Sequence, residues 1–399
     1  MSDVTESGEW KGHQERALGD VRNGFTAFLD DDVLVAKITP CFENGKGAHV
    51  TGLVNGIGFG STEFHVLRAK NGASARFVHH LVQSGKLRRS AEAQMSGSAG
   101  QRRVPREFFE TYEVPNLGPV EQVNIAQVLD TLDTTIRQTE AIIEKLKQVK
   151  QGLLHDLLTR GIDANGELRP MQSQAPHLYK ESSSGWIPNT WAAASLGGLI
   201  DGSPRNGIYK PAGDIGSGSL LVGQTAFTAD GTVDPVLARR CRVSIAEAEV
   251  FGLHPDDILV SRVFATREGV GKPVIVPDLG EAAVYESNMM RMRVGKNTIA
   301  PRLLFHWLKQ REARKWIMSR AFASNQASIN RSTICGVPVP LPPEDEQERI
   351  LAVVDTQEQR LRKEELNLAK ALKLKSGLMD DLLTGRVRVT ALLNPGVFA

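Results

Sequence analysis

Hydrophobic residues recur at steps built from threes and fours along one uninterrupted stretch, residues 119–160. Such steps form the seam of a coiled coil, and the Glu and Lys residues between them suit a solvated face. No Gly or Pro interrupts the pattern between Pro119 and Gly152. We predict a helix about 60 Å long at ~1.5 Å per residue, which needs a partner along its length. The predicted seam residues are Ile125, Leu129, Leu132, Ile136, Ile143, Leu146, Leu153 and Leu157.

The same pattern occurs a second time, near the end of the chain. Residues 344–384 align with 119–159 without a gap, so that GLLHDLLT at 152–159 meets GLMDDLLT at 377–384. We call the shift in numbering that places 344 on 119 the repeat offset. Two such helices can pair antiparallel, or each can find an outside partner, and an ordinary bundle helix is the alternative for either one alone. The second seam reads Ile350, Val354, Leu361, Leu368, Ala371, Leu374, Leu378 and Leu382.

The repeat also extends outside the helices. At the repeat offset, DDVLVAK at 31–37 aligns with DDILVSR at 256–262, and Gly100-Gln101 aligns with Asn325-Gln326. Apolar runs between Gly and Pro predict strands at 62–68, 219–222, 257–263, 273–276 and 289–294, and helices are predicted at 75–95 and 301–320. The sequence therefore predicts an α+β fold in which a mixed β/α domain and a long helix occur twice, with pseudo-twofold symmetry.

Composition shifts indicate where these parts meet. Residues 186–225 would align with positions before Met1, so we expect a first domain shortened at its N-terminus, which lacks that piece or carries only a shrunken version of it in residues 1–24. The Gly, Pro and Ser residues of 161–185 suit a linker. The predicted parts are a first domain 1–118, a first long helix 119–160, a linker 161–185, a second domain 186–343, a second long helix 344–388 and a tail 389–399.

The composition narrows the classes of protein. The 399 residues suffice for two or three domains, and the net charge is only +2. Cys41, Cys241 and Cys335 lack zinc spacing and suit a reducing, cytoplasmic setting without a disulfide framework. No signal peptide is evident, and no apolar run reaches the ~20 residues that span a bilayer, so no membrane association is expected.

Motifs for chemistry are missing from the sequence. There is no GxxxxGK[ST] phosphate loop and no Asn-Pro-Pro-aromatic run, and GIGFGS at 56–61 is typical of a turn cluster. Asp31-Asp32 and Asp256-Asp257 precede predicted strands, where Asp commonly forms turns. His65, His79 and His80 lack partners at ligand spacing, so they are predicted to be surface or core histidines. We predict no catalytic residue and no metal site.

Basic residues cluster in or beside the predicted loops of both domains. Two such domains held apart by a rigid helical rod suit a two-part DNA site, in which phosphate contacts give affinity and contacts to base edges give sequence. Solvated surface charge is the alternative for any one residue, while the set as a whole indicates DNA. The candidates are Lys37, Lys46, Arg68, Arg102, Arg103, Arg205, Lys210, Arg262, Arg267 and Lys272.

Four segments resemble the specificity subunit of type I restriction–modification enzymes. They are the run LPPEDEQERI at 341–350, the helix ends GLLHDLLTRG and GLMDDLLTGRV, and Trp191 with Leu196-Gly197-Gly198-Leu199. The last resembles the opening of a target-recognition domain. In the short first domain, Trp10 with Leu18-Gly19 is predicted to be its compressed counterpart.

The resemblance implies two target-recognition domains separated by two antiparallel helices. Each domain would read one half of a bipartite site on double-stranded DNA, and the helix pair would set the gap and dock two methylation subunits. S-adenosylmethionine would bind to those subunits, and this chain would hold no cofactor. Motor-nuclease subunits would complete a complex that restricts unmethylated DNA in host defence.

Two other classes of function remain open. A coiled-coil scaffold that binds only proteins would not need two Gly-rich domains with basic loops. An enzyme with an unrecognised active site would methylate or cleave DNA as the purified chain.

Overall fold

The protein's structure, a computed structural model, describes residues 2–12, 14–98, 100–322 and 326–389. Two compact units divide the chain, Met1–Glu144 with Arg362–Ala399 and Lys145–Leu361. Each predicted long helix therefore contributes one half to each unit.

The first unit is a small mixed domain. Strand β2 is central in the antiparallel sheet β3–β2–β5, and β1 pairs with β4. Its elements are α1 Leu18–Val21, β1 Thr26–Leu29, β2 Val33–Ala36, β3 Gly47–His49, β4 Ile57–Gly60, β5 Phe64–Leu67, α2 Ala75–Gln83, α3 Gly85–Glu92, α4 Arg106–Thr111 and the first half of α5 Pro119–Thr159.

The second unit holds more strands. The antiparallel sheet β14–β12–β16–β9 lies at its centre, and a second sheet joins β11, β10 and β15. Its elements are β6 Tyr179–Ser182, β7 Gly185–Pro188, β8 Ala192–Ser195, β9 Arg205–Asn206, β10 Ile215–Val222, β11 Arg239–Cys241, α6 Ile245–Phe251, β12 Ile258–Ser261, β13 Val263–Phe264, β14 Pro273–Ile275, β15 Ala283–Tyr285, β16 Met289–Met292, α7 Pro301–Lys309, α8 Arg311–Ser319, β17 Ala327–Ser328, α9 Arg331–Cys335, β18 Pro338–Leu341 and the first half of α10 Glu344–Leu382.

The central strands β2 and β12 are buried on both faces. In β12, Ile258 and Val260 join the large core that contains Trp307, whereas Leu259 faces a second core. In β2, alternate residues likewise enter two different cores. A strand covered on both sides carries a continuous apolar run, which is why VLVA and ILVS show no polar alternation.

The internal repeat is present in the structure. Strands β2 and β12 are related by the repeat offset, as are β5 and β16, and β2 pairs antiparallel with β5 just as β12 does with β16. The predicted strands therefore occur, but each predicted helix after them is broken. The stretch 75–95 is two helices that meet at Ser84, and 301–320 is two helices that meet at Gln310.

The two long helices pair antiparallel within each unit, as the α+β prediction required. In the first unit, Ile125 and Leu129 of α5 share a core with Met379 and Leu382 of α10. In the second unit, Leu157 of α5 shares a core with Ile350 and Val354 of α10. Among the described residues, no helix has the length and apolar character to cross a membrane.

The seam residues differ in burial along the two helices. Ile125, Leu129, Ile136, Ile143, Leu146 and Leu157 of α5 are buried, while Leu132 and Leu153 are half-buried. In α10, Ile350, Val354 and Leu382 are buried, and Leu361, Leu368 and Leu378 are half-buried. Leu374 was predicted to lie in the seam but is 54% exposed.

The predicted counterpart of the Trp191 opening does not occupy an equivalent place. Trp191 is buried against the helix-pair core of the second unit, with Leu196 and Leu199. Trp10 instead packs edge-on against Phe28 of β1, with ring centroids 6.0 Å apart. Leu18 is exposed on its short helix, so that equivalence is wrong.

Candidate nucleic-acid interface

Two equivalent loops follow the central strands, residues 37–46 after β2 and 262–272 after β12. The Ala36 N–H donates to the Lys46 carbonyl at 2.9 Å, and the Ser261 N–H donates to the Lys272 carbonyl at 3.2 Å. Each loop is therefore closed at its base by a backbone hydrogen bond from the end of the central strand, and the acceptor in the second loop lies one position beyond the repeat offset. Four of the predicted DNA-binding residues lie at these loop ends, namely Lys37, Lys46, Arg262 and Lys272.

The first cation of each loop is tied to the unit's own backbone. Lys37 Nζ donates to the Thr62 carbonyl at 2.8 Å. Arg262 Nε donates to the Ser287 carbonyl at 3.3 Å. Because the two acceptors are related by the repeat offset, like the strands before the loops, these bonds are equivalent. Lys37 and Arg262 therefore brace the loops, and both side chains are half-buried.

A second segment lies beside each loop. The Val104 N–H donates to the Lys37 carbonyl and the Ile329 N–H to the Arg262 carbonyl, each at 3.0 Å. These bonds place 101–103 beside the first loop and 326–328 beside the second. Gln101 and Gln326 are exposed at equivalent positions, while Asn325, which the sequence aligned with Gly100, lies outside the described residues.

We call Lys37, Lys46, Arg102 and Arg103 the first loop surface. Arg102 pairs with Glu43 at 3.0 Å and Arg103 with Glu63 at 2.9 Å. The hydrogen bond from Arg103 lowers the pKa of Glu63, so this carboxylate stays ionised beside the loop. Both arginine side chains remain nearly half exposed, which leaves donors toward solvent.

We call Arg262, Arg267 and Lys272 the second loop surface. Arg267 is exposed and donates to the Ala321 carbonyl at 3.4 Å, a long bond. Lys272 is also exposed. These two side chains therefore reach solvent from a loop whose base is fixed, which is the geometry that phosphate contacts require.

Arg68 has a structural partner instead. It donates two hydrogen bonds of 2.7 Å to the fully buried Asp32. Burial alone would raise the pKa of Asp32, but the bonds from Arg68 lower it overall, so the pair is ionised. Arg293 binds Asp257 in the same way, with two bonds of 2.8 Å.

Arg205 and Lys210 lie outside the two loops. Arg205 is exposed on β9, opposite Arg291 of β16. Lys210 is only 8% exposed and donates to both carboxylate oxygens of Glu247 at 2.8 Å. A buried ammonium needs such a partner, so the Lys210 charge is directed into the protein.

One group of described residues, His80, Asp130 and Asp133, has ligand atoms close enough to hold a metal ion. Arg76 already pairs with Asp130, and Lys375 already pairs with Asp133. These cations neutralise both carboxylates, so an added metal ion would have to displace them. The sequence did not single out Asp130 or Asp133, although acids recur at the repeat offset from both.

Comparisons with known proteins fit this architecture. Residues 252–371 match the family model for the type I restriction modification DNA specificity domain. The specificity subunit of the type I restriction enzyme EcoAI of Escherichia coli is 39% identical over 143 residues, which are 35% of this chain and 24% of that protein. The MjaVIII specificity subunit of Methanocaldococcus jannaschii is 24% identical over 320 residues, 78% of this chain and 70% of that protein.

Solved structures show the same fold. A chain from a structure of complex assembly and conformational transition of the type I restriction–modification system superposes with a TM-score of 0.56 at 20% identity, covering 97% of this chain and 90% of that one. The S subunit from M. genitalium gives 0.52 at 14% identity, covering 90% and 84%. This chain spans about a quarter of the length of the EcoAI and EcoEI relatives. The resemblance found in the sequence is confirmed.

Proposed function

We propose that this chain, as its resemblance to type I specificity subunits suggests, selects the DNA sequence for a type I restriction–modification complex. Each unit would read one half of a bipartite site on double-stranded DNA through its loop surface. The main support is that two basic loops occur at equivalent positions and are anchored by equivalent bonds. A protein that reads two half-sites needs two such readers, whereas a scaffold does not.

The partners follow from the same proposal. Two methylation subunits would dock on the paired helices, bind S-adenosylmethionine and carry out methylation. Motor-nuclease subunits would add restriction, and this chain would supply no catalytic group. Exposed apolar side chains on α5 and α10 suit docking of this kind. They include Ile142, Val149, Leu366, Leu372 and Leu374.

Charge reversal in the second loop surface tests the proposal. We expect Arg267→Glu with Lys272→Glu to weaken methylation by roughly tenfold or more, because each lost phosphate or base contact costs about 1–3 kcal/mol. The readout is sequencing of modified bases in DNA methylated by the full chain with its methylation subunits. Reversal of Lys46 and Arg102 should affect the other half-site.

A matched control carries the same change in charge elsewhere in the second unit. Lys180→Glu with Lys296→Glu alters two exposed lysines outside both loops. We expect its methylated motif to be unchanged. If the loop variant and this control behave alike, the loops do not face DNA. If the unaltered assembly neither methylates a split motif nor binds DNA, the scaffold alternative is favoured.

A further inference from the structure

We infer that each reading unit is fixed to the helix pair by a repeated polar lock, and that these locks set how strictly the gap between half-sites is held. This inference rests on the proposed function. The first lock comprises Arg76, His80, Asp130, Asp133 and Lys375. The second lock comprises Arg302, His306, Asp355, Glu358 and Lys150.

The first lock joins three elements of the first unit. Arg76 Nε of α2 donates to Asp130 of α5 at 3.0 Å, and His80 Nε2 lies 2.7 Å from the same carboxylate. His80 Nδ1 is 3.9 Å from Asp133, which also pairs with Lys375 of α10. The globular domain therefore holds α5, and α5 holds α10.

The second lock repeats this arrangement with the helices exchanged. Arg302 of α7 pairs with Asp355 of α10 and donates to Glu358 at 3.2 Å. His306 Nε2 lies 4.0 Å from Glu358, and Lys150 of α5 donates to Glu358 at 2.8 Å. Here the globular domain holds α10, and α10 holds α5.

The correspondence follows the internal repeat closely. The acids and the lysine recur at the repeat offset, and the arginine and histidine recur one position beyond it. In both locks the lysine comes from the long helix that does not carry the acids. The acids lie on α5 in the first lock and on α10 in the second. A twofold internal repeat requires this exchange of helices, whereas a scattered set of surface ion pairs would not show it.

The chemistry of the locks explains what they add to the apolar seam. Apolar contacts stabilise the pairing but tolerate sliding, because they have no preferred direction. Arg76 binds both oxygens of Asp130, and Arg302 bridges two carboxylates, so each arginine contact is directional, and its loss would leave half-buried acids without their cation. His80 and His306 are buried, so a helix that shifted by one turn would separate these side chains from their carboxylate partners. The locks therefore fix the register between each reader and the helices.

Removal of one cation separates positioning from simple stability. In Lys375→Met we expect the same two half-sites to be methylated. Methylation of motifs whose gap is one base pair longer or shorter should rise at least tenfold relative to methylation of the motif with the normal gap. Lys373→Met, an exposed neighbour on α10, should leave the distribution of gaps unchanged. Lys375→Arg keeps a cation at this position, so we expect it to retain the normal distribution of gaps. Equal loss of methylation at every gap would overturn the inference.

A second measurement does not depend on DNA. Hydrogen exchange followed by mass spectrometry of the full chain should show amides of α10 around Lys375 exchanging at least tenfold faster in Lys375→Met, because this residue joins α10 to α5, while those of α7 are unchanged. Unchanged exchange in this part of α10 would overturn the lock. Faster exchange in a complex that has no methylated motif would retain the lock and reject the proposed function.

Discussion

At the scale of single residues, buried carboxylates organise the start of the central strand in each unit. Asp32 accepts the Leu29 N–H at 2.7 Å and Asp257 accepts the His254 N–H at 2.9 Å. The residue before each, Asp31 or Asp256, has a φ of 67°, which turns the chain into the strand. Each carboxylate also binds the arginine that follows the neighbouring strand, Arg68 after β5 or Arg293 after β16, so one residue closes a turn and ties two paired strands together.

We expect Asp257→Asn to destabilise the second unit by about 2 kcal/mol, because it weakens the two charge-assisted hydrogen bonds that the partly exposed Arg293 donates to a buried carboxylate. Urea unfolding followed by tryptophan fluorescence reports on this unit, which holds Trp186, Trp191, Trp307 and Trp316. Asp256→Asn is the matched control, since Asn tolerates positive φ and Asp256 is exposed. Similar midpoints for the two variants would show that the Arg293 pair contributes little.

His306 predicts a pH dependence of stability. Burial lowers its pKa to about 4, and the charges facing it are Glu358 on α10, Lys150 on α5, and Arg302 and Lys309 on its own helix. The unfolded state binds a proton below about 6.5 and the folded state does not, so stability falls as the pH drops from 6.5 toward 4. The loss between pH 7 and pH 5 is about 2 kcal/mol.

We expect His306→Gln to remove most of this loss in the second unit. The measurement is the difference in unfolding free energy between pH 7 and pH 5, again from tryptophan fluorescence. His254→Gln changes an exposed histidine of the same unit and should keep the wild-type difference. An equal pH difference in both variants would mean that His306 is protonated in the folded protein.

The sequence predicted the turns at these aspartates but not their partners. Asp32 meets Arg68 because β2 and β5 pair with Val33 opposite Leu67, so Arg68 lies beside the residue before the strand. That register is set by the sheet and has no local signal. Arg68 therefore looked like one more loop cation in the sequence, whereas Lys37 and Lys46 lie at the two ends of a loop.

At the scale of elements, the long helices were the most predictable part of the fold. Their apolar steps predicted both seams, and most of the predicted seam residues are buried or half-buried. Leu374 is exposed because its neighbour Lys375 faces Asp133, and adjacent helical residues point about 100° apart. A periodic pattern cannot show that a charged neighbour takes the inward position.

The breaks at Ser84 and Gln310 were not predictable from periodicity. Apolar residues continue at helical spacing across both positions, and neither is a proline. Both adopt extended backbone with ψ of 138° and 153°. The Ser84 side chain accepts the Leu87 N–H at 3.3 Å and caps the next helix. Because the chain changes direction at the break, the apolar residues before and after it can pack on surfaces that face different directions.

At the scale of the whole molecule, the repeat predicted the parts that the two units share but not the places where the units differ. Strand β18 pairs with β8 in the second unit, directly after the buried Trp191. The equivalent stretch of the first unit, residues 113–116, forms no strand among the described residues. The surroundings of Trp10 depend on how Val4 and Phe28 pack, and the repeat has no signal for that packing.

The locks make the length of the helix pair a testable determinant of the gap. Glu140 and Glu365 each lie between the residues of the first and second locks along their helix, so insertions after both would leave every lock intact. Four added residues in each helix lengthen it by about 6 Å, and DNA rises about 3.4 Å per base pair. We expect the methylated motif to keep both half-sites and gain about two base pairs in its gap, as read by modified-base sequencing.

Insertion after Glu140 alone shifts Asp133 relative to Lys375 or Lys150 relative to Glu358, so it should reduce methylation without defining a new gap. An unchanged gap in the double insertion would mean that the helices do not set the spacing.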